Sequence, residues 1–351
     1  MFSFLRGRAS KAFTLIELLV VVAIIALLVA VLLPGLAEAR RAARQIQNIA
    51  NIANYGTGCS AYAAEFKDLI WGYTWRAGFA APTRFPGLNP AGATNDVQAA
   101  AFQAVDIIRR RSNPTYESFP IQPNWIPHVS YSHLPVIDYL TGRLPEPMIR
   151  SPFDRLRQEW AEALFPDPAS VRARFNLPSE RAPYSSSYQI VSATYTRDKF
   201  GASGGSLIQG ETSNQYLYDP AGTGRTSRWR LGSRKLSDVK FPSQKIQIME
   251  DIARHVGKVN YFFTHQFSQP TCGFFDGSVR AVPTRNVNRG GYLTANNAVS
   301  RAFINYEASP TLGYDIWPDS SGLRGQGRDG FHRWTVGGLS GIDAGSGEPY
   351  R

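Results

Sequence analysis

The longest apolar segment of the chain lies near its start. Residues 18–33 contain no polar side chain, and with residues 13–17 in front of them the segment is 21 residues long. A helix rises about 1.5 Å per residue, so this segment can cross the roughly 30 Å hydrocarbon core of a bilayer. The pattern therefore predicts a membrane-spanning helix. Glu17 is the exception, because a carboxylate inside an apolar helix costs on the order of 3 kcal/mol at the bilayer centre unless a partner offsets it.

Beyond this segment the apolar positions become periodic. From residue 39 onward, small and apolar side chains recur at spacings of three, four or seven, while polar side chains occupy the other faces. This pattern predicts that the helix continues with one buried face and ends between residues 55 and 66. Pro34 removes one backbone hydrogen-bond donor, so we expect it to kink the helix without ending it. The helix would then have a membrane-spanning half, residues 13–38, and an amphipathic half, residues 39–66.

The rest of the chain shows both helical and alternating patterns. Residues 96–111 carry an apolar helical face, and Ser151 is placed to cap a second, later helix. Further on the period changes to two, which predicts strands at residues 188–195, 245–249 and 259–263. These elements together predict an α+β globular region over residues 67–321.

The clearest turn signal is Asp276-Gly277, which lies between apolar stretches within residues 273–282. Asp-Gly fits a two-residue hairpin loop in which both residues have positive φ. The sequence therefore predicts an antiparallel sheet with a hairpin turn at this position. The following residues 322–351 include nine glycines, so we expect this tail to be extended or partly disordered.

Positive charge is dispersed along the chain. The net charge of +11 comes from short groups such as Arg109-Arg110-Arg111, without one long basic block. Dispersed arginines favour solubility or nonspecific adhesion to anionic polymers over sequence-specific recognition of nucleic-acid bases. The sequence also has no helix-turn-helix or zinc-finger spacing. Nucleic acid is therefore an unlikely partner.

Two cysteines, Cys59 and Cys272, leave two possibilities open. If the bulk of the chain lies outside the cytoplasmic membrane, they meet an oxidising compartment and can form a disulfide. That bond would close a very long loop, worth on the order of 4 kcal/mol in the chain-entropy model. The alternative is that both thiols are simply buried.

Candidate ligands for a divalent ion are Asp251, His255, His265 and Asp276. Imidazole and carboxylate together suit such ions, but turn chemistry alone explains Asp276, and a histidine at a strand end is usually a hydrogen-bonded polar residue. We therefore predict no metal site and no cofactor. The sequence also lacks the usual nucleophile-elbow, zinc-protease and phosphate-loop motifs, so it gives no support for an enzyme.

The start of the chain resembles a known family. Phe13-Thr14-Leu15-Ile16-Glu17 follows a short basic leader, residues 1–12, and precedes a helix of Val, Ile, Leu and Ala with Pro34 near its far end. This arrangement closely resembles the amino terminus of type IV prepilins and type II secretion pseudopilins. A weaker resemblance lies near the other end. Many large pilin-like proteins have a His, nine intervening residues and Asp-Gly, and here ten residues separate His265 from Asp276.

The resemblance implies a processing step and a fold. A prepilin peptidase on the cytoplasmic side would cleave between Ala12 and Phe13 and methylate the new amine of Phe13. Ala12 stands where the family usually has Gly. Glu17 would become the fifth residue of the mature chain, which is the family's position for an acid used in assembly. The implied fold is α+β, with the long amino-terminal helix packed on an antiparallel sheet in an enlarged carboxy-terminal globular domain.

Two other interpretations of the apolar segment compete with this one. The first is an ordinary signal peptide, cleaved at the small-x-small sequence of residues 37–39. The second is a signal anchor that is never processed. The positive-inside rule does not separate them, because three basic residues precede the segment and three follow it: Arg6, Arg8 and Lys11, then Arg40, Arg41 and Arg44. The family motif favours the prepilin interpretation.

We therefore expect a structural subunit that is held in the inner membrane by a single helix, with an extracytoplasmic globular domain that can be exported to a surface filament. Its expected partners are a prepilin peptidase, membrane lipid and other pilin or pseudopilin subunits. The alternative is a membrane-anchored binding protein or enzyme that uses a pilin-like anchor. A deep cavity lined by clustered titratable side chains would favour that alternative.

Overall fold

The computed structural model of the protein describes residues 14–94, 96–112, 116–121, 127, 130–163, 180–195, 234–256, 260–293, 299–301, 303–305, 327–333 and 338–344. Three α-helices and ten short strands are found in these residues. The helices are α1 (Leu15–Glu65), α2 (Asp96–Arg111) and α3 (Arg155–Ala163). The strands are β1 (Tyr188–Ile190), β2 (Ile246–Glu250), β3 (Ile252–Ala253), β4 (Tyr261–Phe262), β5 (Thr271–Phe274), β6 (Val279–Ala281), β7 (Gly291–Leu293), β8 (Val299–Arg301), β9 (Phe303–Asn305) and β10 (Gly327–Asp329).

Helix α1 is continuous over 51 residues and contains Pro34. It ends at Glu65, within the predicted interval. Its second half has one buried face, formed by Asn48, Ile52, Tyr55, Gly58, Cys59, Tyr62 and Ala63. The positions of the buried side chains therefore show the predicted change from a uniformly apolar helix to an amphipathic one. The kink at Pro34 stays a prediction.

The main sheet has four antiparallel strands in the order β1-β2-β5-β6. Tyr188 of β1 pairs with Glu250 of β2, and Met249 of β2 pairs with Cys272 of β5. Three further antiparallel pairs are β3 with β4, β7 with β8, and β9 with β10. A long amino-terminal helix followed by an antiparallel sheet fits an α+β pilin-like fold, so the predicted fold class is confirmed.

Two predicted strands are shorter than expected. The strand predicted over residues 188–195 ends at Ile190, and the chain turns into a 3₁₀ helix at Ser192–Thr194. The N and Oγ1 of Thr194 both donate to the carbonyl of Val191, at 3.0 and 2.6 Å. Hydroxyl groups that bond locally in this way compete with extended structure. The strand predicted over residues 259–263 is reduced to β4, which pairs with β3 rather than with the main sheet, and residue 259 lies outside the described residues.

The two shorter helices differ in how well they were predicted. Helix α2 has the predicted bounds. Helix α3 starts later than the Ser151 cap implied, because Asp154 provides the cap: its Oδ1 accepts a hydrogen bond from the N of Arg157 at 3.2 Å. An acceptor three residues before a free backbone donor is the usual cap geometry. Ser151 instead accepts from the N of Phe153 and donates to Glu250 at 3.3 Å.

The turn between β5 and β6 has a different geometry from the one predicted. The N of Gly277 donates to the carbonyl of Phe274 at 3.0 Å, and the N of Phe274 donates to the carbonyl of Ser278 at 2.9 Å. Gly277 has a φ of +83°, whereas Asp276 does not have positive φ. The loop is therefore a turn followed by one left-handed glycine, a three-residue hairpin loop. The prediction of positive φ at both residues was wrong.

Part of the glycine-rich tail is packed into the fold. Within residues 322–351, the segment 338–344 lies against β2, where Nζ of Lys245 is 3.0 Å from Oδ2 of Asp343. The same oxygen accepts a hydrogen bond from the N of Ile246 at 2.9 Å. Both charged side chains are at most 1% exposed. The expectation of an extended or partly disordered tail was therefore wrong for this segment, because a buried lysine requires a buried acid beside it.

The second half of α1 is attached to the sheet through Asn48, which is completely buried. Its Nδ2 donates to Oε1 of Glu250 at 2.9 Å and to Oγ1 of Thr271 at 3.0 Å. Its Oδ1 accepts from the hydroxyl of Tyr188 at 2.7 Å. One side chain of the helix thus bonds to β1, β2 and β5.

Ile52 packs next to Asn48 on the same face of α1. A Cβ added to Gly273 would lie 2.7 Å from Cγ2 of Ile52, so this close approach requires glycine. Thr271 and Gly273 therefore face α1, and Cys272, between them in β5, points to the opposite face of the sheet. Cys59 lies on the buried face of α1. The two cysteines are consequently separated by the sheet, and the structure has both as free, buried thiols.

We predict that Asn48→Leu destabilises the globular region by about 3 kcal/mol, because Glu250, Thr271 and Tyr188 would each lose a buried partner. Asn54→Leu is the matched control, since Asn54 is an exposed residue of the same helix. Thermal unfolding of the full chain in a neutral detergent measures both. Equal stability of the two variants would contradict the role assigned to Asn48.

We predict that Gly277→Val costs about 2 kcal/mol, because a β-branched residue disfavours the left-handed conformation. Nothing lies within 4 Å of a Cβ added at Gly277, so the cost is conformational and not steric. Asp276→Asn should be nearly silent, because an amide oxygen can also accept from the N of Ser278, as Oδ1 of Asp276 does at 2.9 Å. A large loss of stability in the Asn variant, measured by the same unfolding experiment, would show that the Asp276 carboxylate has another role.

Candidate processing and assembly segment

Helix α1 begins with a reciprocal cap between Thr14 and Glu17. The N and Oγ1 of Thr14 donate to Oε2 of Glu17, at 2.9 and 2.8 Å. In return, the N of Glu17 donates to Oγ1 of Thr14 at 3.3 Å. This is a capping box, which satisfies backbone donors that the first turn of a helix would otherwise leave unpaired. Glu17 therefore has a partner in its own helix, which offsets part of the cost of placing an acid there.

The sequence interpretation of Glu17 missed this cap. The signal that could have predicted it is the Thr-x-x-Glu spacing directly before an apolar run, which is typical of a capping box. Both contacts from Thr14 use Oε2. The other carboxylate oxygen, Oε1, has no donor among the described residues, so it can accept a hydrogen bond from another group.

The apolar side chains that follow the cap are exposed. Leu15 is 79% and Val31 is 72% exposed, and the large apolar side chains between them are similarly uncovered. Soluble proteins rarely leave so long an apolar surface uncovered. Of the helices described, α1 is long and apolar enough to cross a membrane. Its first half therefore needs lipid or other apolar helices around it.

The residues of the predicted cleavage site, Ala12 and Phe13, lie outside the described residues. Cleavage between them and methylation of Phe13 therefore stay predictions. Pro34 is placed inside α1, within the apolar half.

The four candidate metal ligands considered from the sequence have separate partners. The ring of His265 stacks on Tyr261 with centroids 4.7 Å apart, and its Nδ1 accepts from the N of Phe267 at 3.2 Å. Asp276 accepts from the N and Oγ of Ser278 in the hairpin loop. In the part of the chain that the structure describes, no three His, Cys, Asp or Glu side chains are placed to hold a metal ion.

The other two candidates, Asp251 and His255, belong to a buried charged network near α3 and β2. Nδ1 of His255 lies 3.3 Å from Oε2 of Glu250, and Asp251 pairs with Arg254 at 3.2 Å. Arg254 also lies 3.2 Å from Asp154. Burial opposes ionisation of Asp154, but Arg254, together with Arg157 and a hydrogen bond from Ser187, holds its pKa well below the usual range.

This network differs from a substrate pocket. Its side chains are at most 10% exposed, and Asp154 and Asp251 are paired with arginines. Glu250 lies against His255 and accepts hydrogen bonds from Asn48 and the N of Thr271. Charges that are paired and covered on all sides serve packing, and they offer little access to a ligand. The network joins two stretches of the chain, residues 154–157 and residues 250–255, and no local pattern in the sequence indicates that these two stretches meet.

Comparison with known proteins identifies the amino-terminal segment only. A family model described as the prokaryotic N-terminal methylation motif matches residues 7–33. No curated protein and no solved structure matches the chain. The matched residues include the predicted cleavage site, the Thr14–Glu17 cap and the apolar run as far as Leu33.

The chain therefore carries a prepilin-type motif on a single-pass membrane anchor. The motif supports a type IV pilin-like or pseudopilin-like substrate of prepilin peptidase, and it points to a structural subunit rather than an enzyme. The resemblance of the segment from His265 to Asp276 to large pilin-like proteins stays a prediction.

Proposed function

We propose that this protein is a structural subunit that prepilin peptidase processes and that assembles into a type IV pilus or a type II secretion pseudopilus. The observation that carries the proposal is the coincidence of the methylation motif with a capped, uncovered apolar helix that begins at Leu15. Peptidase cleavage between Ala12 and Phe13 would remove the basic leader. The helix would then anchor the subunit in the inner membrane, with the globular region on the extracytoplasmic side, until it joins a filament.

Glu17 would act in assembly through its charge. Cleavage creates a positively charged amine on Phe13, and a neighbouring subunit would bring such an amine next to the carboxylate inside an apolar helical bundle. Each charge alone is costly in that environment, whereas together they offset part of the desolvation. Thr14 occupies Oε2 of Glu17 and leaves the other oxygen for this contact. The pair would fix the axial register of adjacent helices more than it adds raw stability.

The proposal is tested first at the amino terminus. Mass spectrometry of the amino-terminal peptide from cells that produce the full chain should find a methylated Phe13, because the motif directs both reactions to that residue. A chain that begins at Arg40 would instead establish an ordinary signal peptide. An intact Met1 would establish an anchor that is never processed.

The role of Glu17 is tested with variants that separate its charge from its capping function. Glu17→Gln keeps a capping-box acceptor but removes the charge, whereas Thr14→Ala removes the cap hydroxyl and keeps the charge. We expect both to be cleaved and inserted. Incorporation of the Gln variant into filaments should fall roughly tenfold or more, equivalent to about 1.4 kcal/mol, while the Thr14→Ala variant should assemble much better.

Two results would contradict this role. Normal incorporation of Glu17→Gln would show that the charge is not used in assembly. An equal loss in Thr14→Ala and Glu17→Gln would assign the effect to the helix cap. Processing is measured in parallel by the size of the chain, so a defect in cleavage cannot be mistaken for a defect in assembly.

A further inference from the structure

A cluster of three arginines follows the membrane-spanning half of α1. Arg40, Arg41 and Arg44 are all exposed, and α1 is continuous through them. At about 1.5 Å of rise per residue, Arg40 lies roughly 10 Å beyond Leu33, the end of the uninterrupted apolar run. Leu36 extends the apolar surface part of the way. The headgroups add about 5–7 Å on each side of the hydrocarbon core. Arg40 and Arg41 lie roughly 6 and 7.5 Å beyond Leu36, at the outer edge of that layer. Arg44 lies roughly 12 Å beyond Leu36, so its long side chain has to reach back to contact the headgroups.

The three side chains lie on one side of the helix. Successive residues of an α-helix are rotated by about 100°, so Arg44 falls between Arg40 and Arg41 within an arc of roughly 100°. Side chains on a helix also tilt toward its amino terminus. The membrane-spanning half is amino-terminal to the cluster, so the Cα–Cβ bonds of the three arginines lean toward the bilayer, and their long side chains can reach it.

The charge of this region is strongly one-sided. Residues 34–47 contain one acidic residue, Glu38, and three arginines, so the net charge of the stretch is 3 − 1 = +2. A planar guanidinium binds phosphate oxygens through two parallel hydrogen bonds, which makes arginine well suited to phosphate recognition. Basic side chains next to a membrane span are also attracted by anionic lipid.

We infer that Arg40, Arg41 and Arg44 form a binding site for the phosphate of anionic phospholipid headgroups in the bilayer that holds α1. The inference requires the membrane span but not filament assembly, so it goes beyond the proposed function and can fail independently of it. It also gives a physical reason for a feature of the sequence that the positive-inside rule leaves unexplained, namely that basic residues flank the apolar segment on both sides.

The test uses the full chain in neutral detergent, titrated with phosphatidylglycerol or phosphatidylcholine, with bound lipids counted by native mass spectrometry. The triple variant Arg40→Gln, Arg41→Gln, Arg44→Gln removes the cluster but keeps a good helix former at each position. At roughly fivefold per arginine, its affinity for phosphatidylglycerol should fall at least tenfold. The weak binding of phosphatidylcholine should not change.

A matched control removes the same amount of charge elsewhere. Arg143, Lys240 and Arg285 are exposed residues of the globular region. Their triple substitution to Gln should leave the affinity for phosphatidylglycerol within twofold of the parent chain. Circular dichroism of all three proteins verifies that the helix content is unchanged. Binding by the parent chain should also weaken as salt is raised, because exposed charges are screened.

Several outcomes would overturn the inference. The first is equal affinity of the parent chain for the two lipids. The second is an equal loss of phosphatidylglycerol binding in both triple variants, which would show that net charge alone is responsible. The third is normal lipid binding by the cluster variant together with poor entry into filaments. That result would assign the arginines to acidic groups of a neighbouring subunit.

Discussion

The globular region depends on the burial of one polar side chain from a helix. Asn48 forms hydrogen bonds with Tyr188, Glu250 and Thr271, and so connects α1 to three strands of the main sheet. A buried amide without partners costs several kcal/mol, so the helix can sit in only the one position that satisfies it. A shift of α1 by one turn would leave the amide of Asn48 and its partners unsatisfied, and it would also move Ile52 away from Gly273.

The buried charged side chains around Asn48 also fix how the helices and strands are arranged. Glu250, its carboxylate partner, is completely buried and next to His255, and the nearby pairs of Asp154 and Asp251 with arginines are also covered. Replacing such a network with apolar side chains often leaves stability unchanged or raises it. We therefore regard the network as a source of specificity, since it holds α1, α3 and β2 in one arrangement. The hairpin of β5 and β6 contributes Thr271 to the same arrangement.

The sequence predicted the features that depend on local pattern. The apolar run, the amphipathic continuation of α1 and the bounds of α2 follow from periodicity, and the Asp-Gly dipeptide marks the right hairpin. Its loop geometry did not follow, because Asp-Gly occurs in both two-residue and three-residue loops. The strand after Tyr188 was overextended because the hydroxyl of Thr194 bonds to Val191 instead. The three partners of Asn48 are 140, 202 and 223 residues away in the chain, so no local pattern indicates them. The Thr14–Glu17 cap was visible in the sequence and was overlooked.

The ion pair of Lys245 and Asp343 has a consequence for how the protein is made. The two residues are 98 positions apart, and β2, which begins beside Lys245, is a central strand of the main sheet. A ribosome produces the lysine long before its acid, so the growing chain cannot bury this amine with its charge compensated until residue 343 has been added. The central sheet is then completed late, after all four of its strands have been synthesised. Until residue 343 has been added, the buried face of α1 lacks the completed sheet against which Asn48 and Ile52 pack.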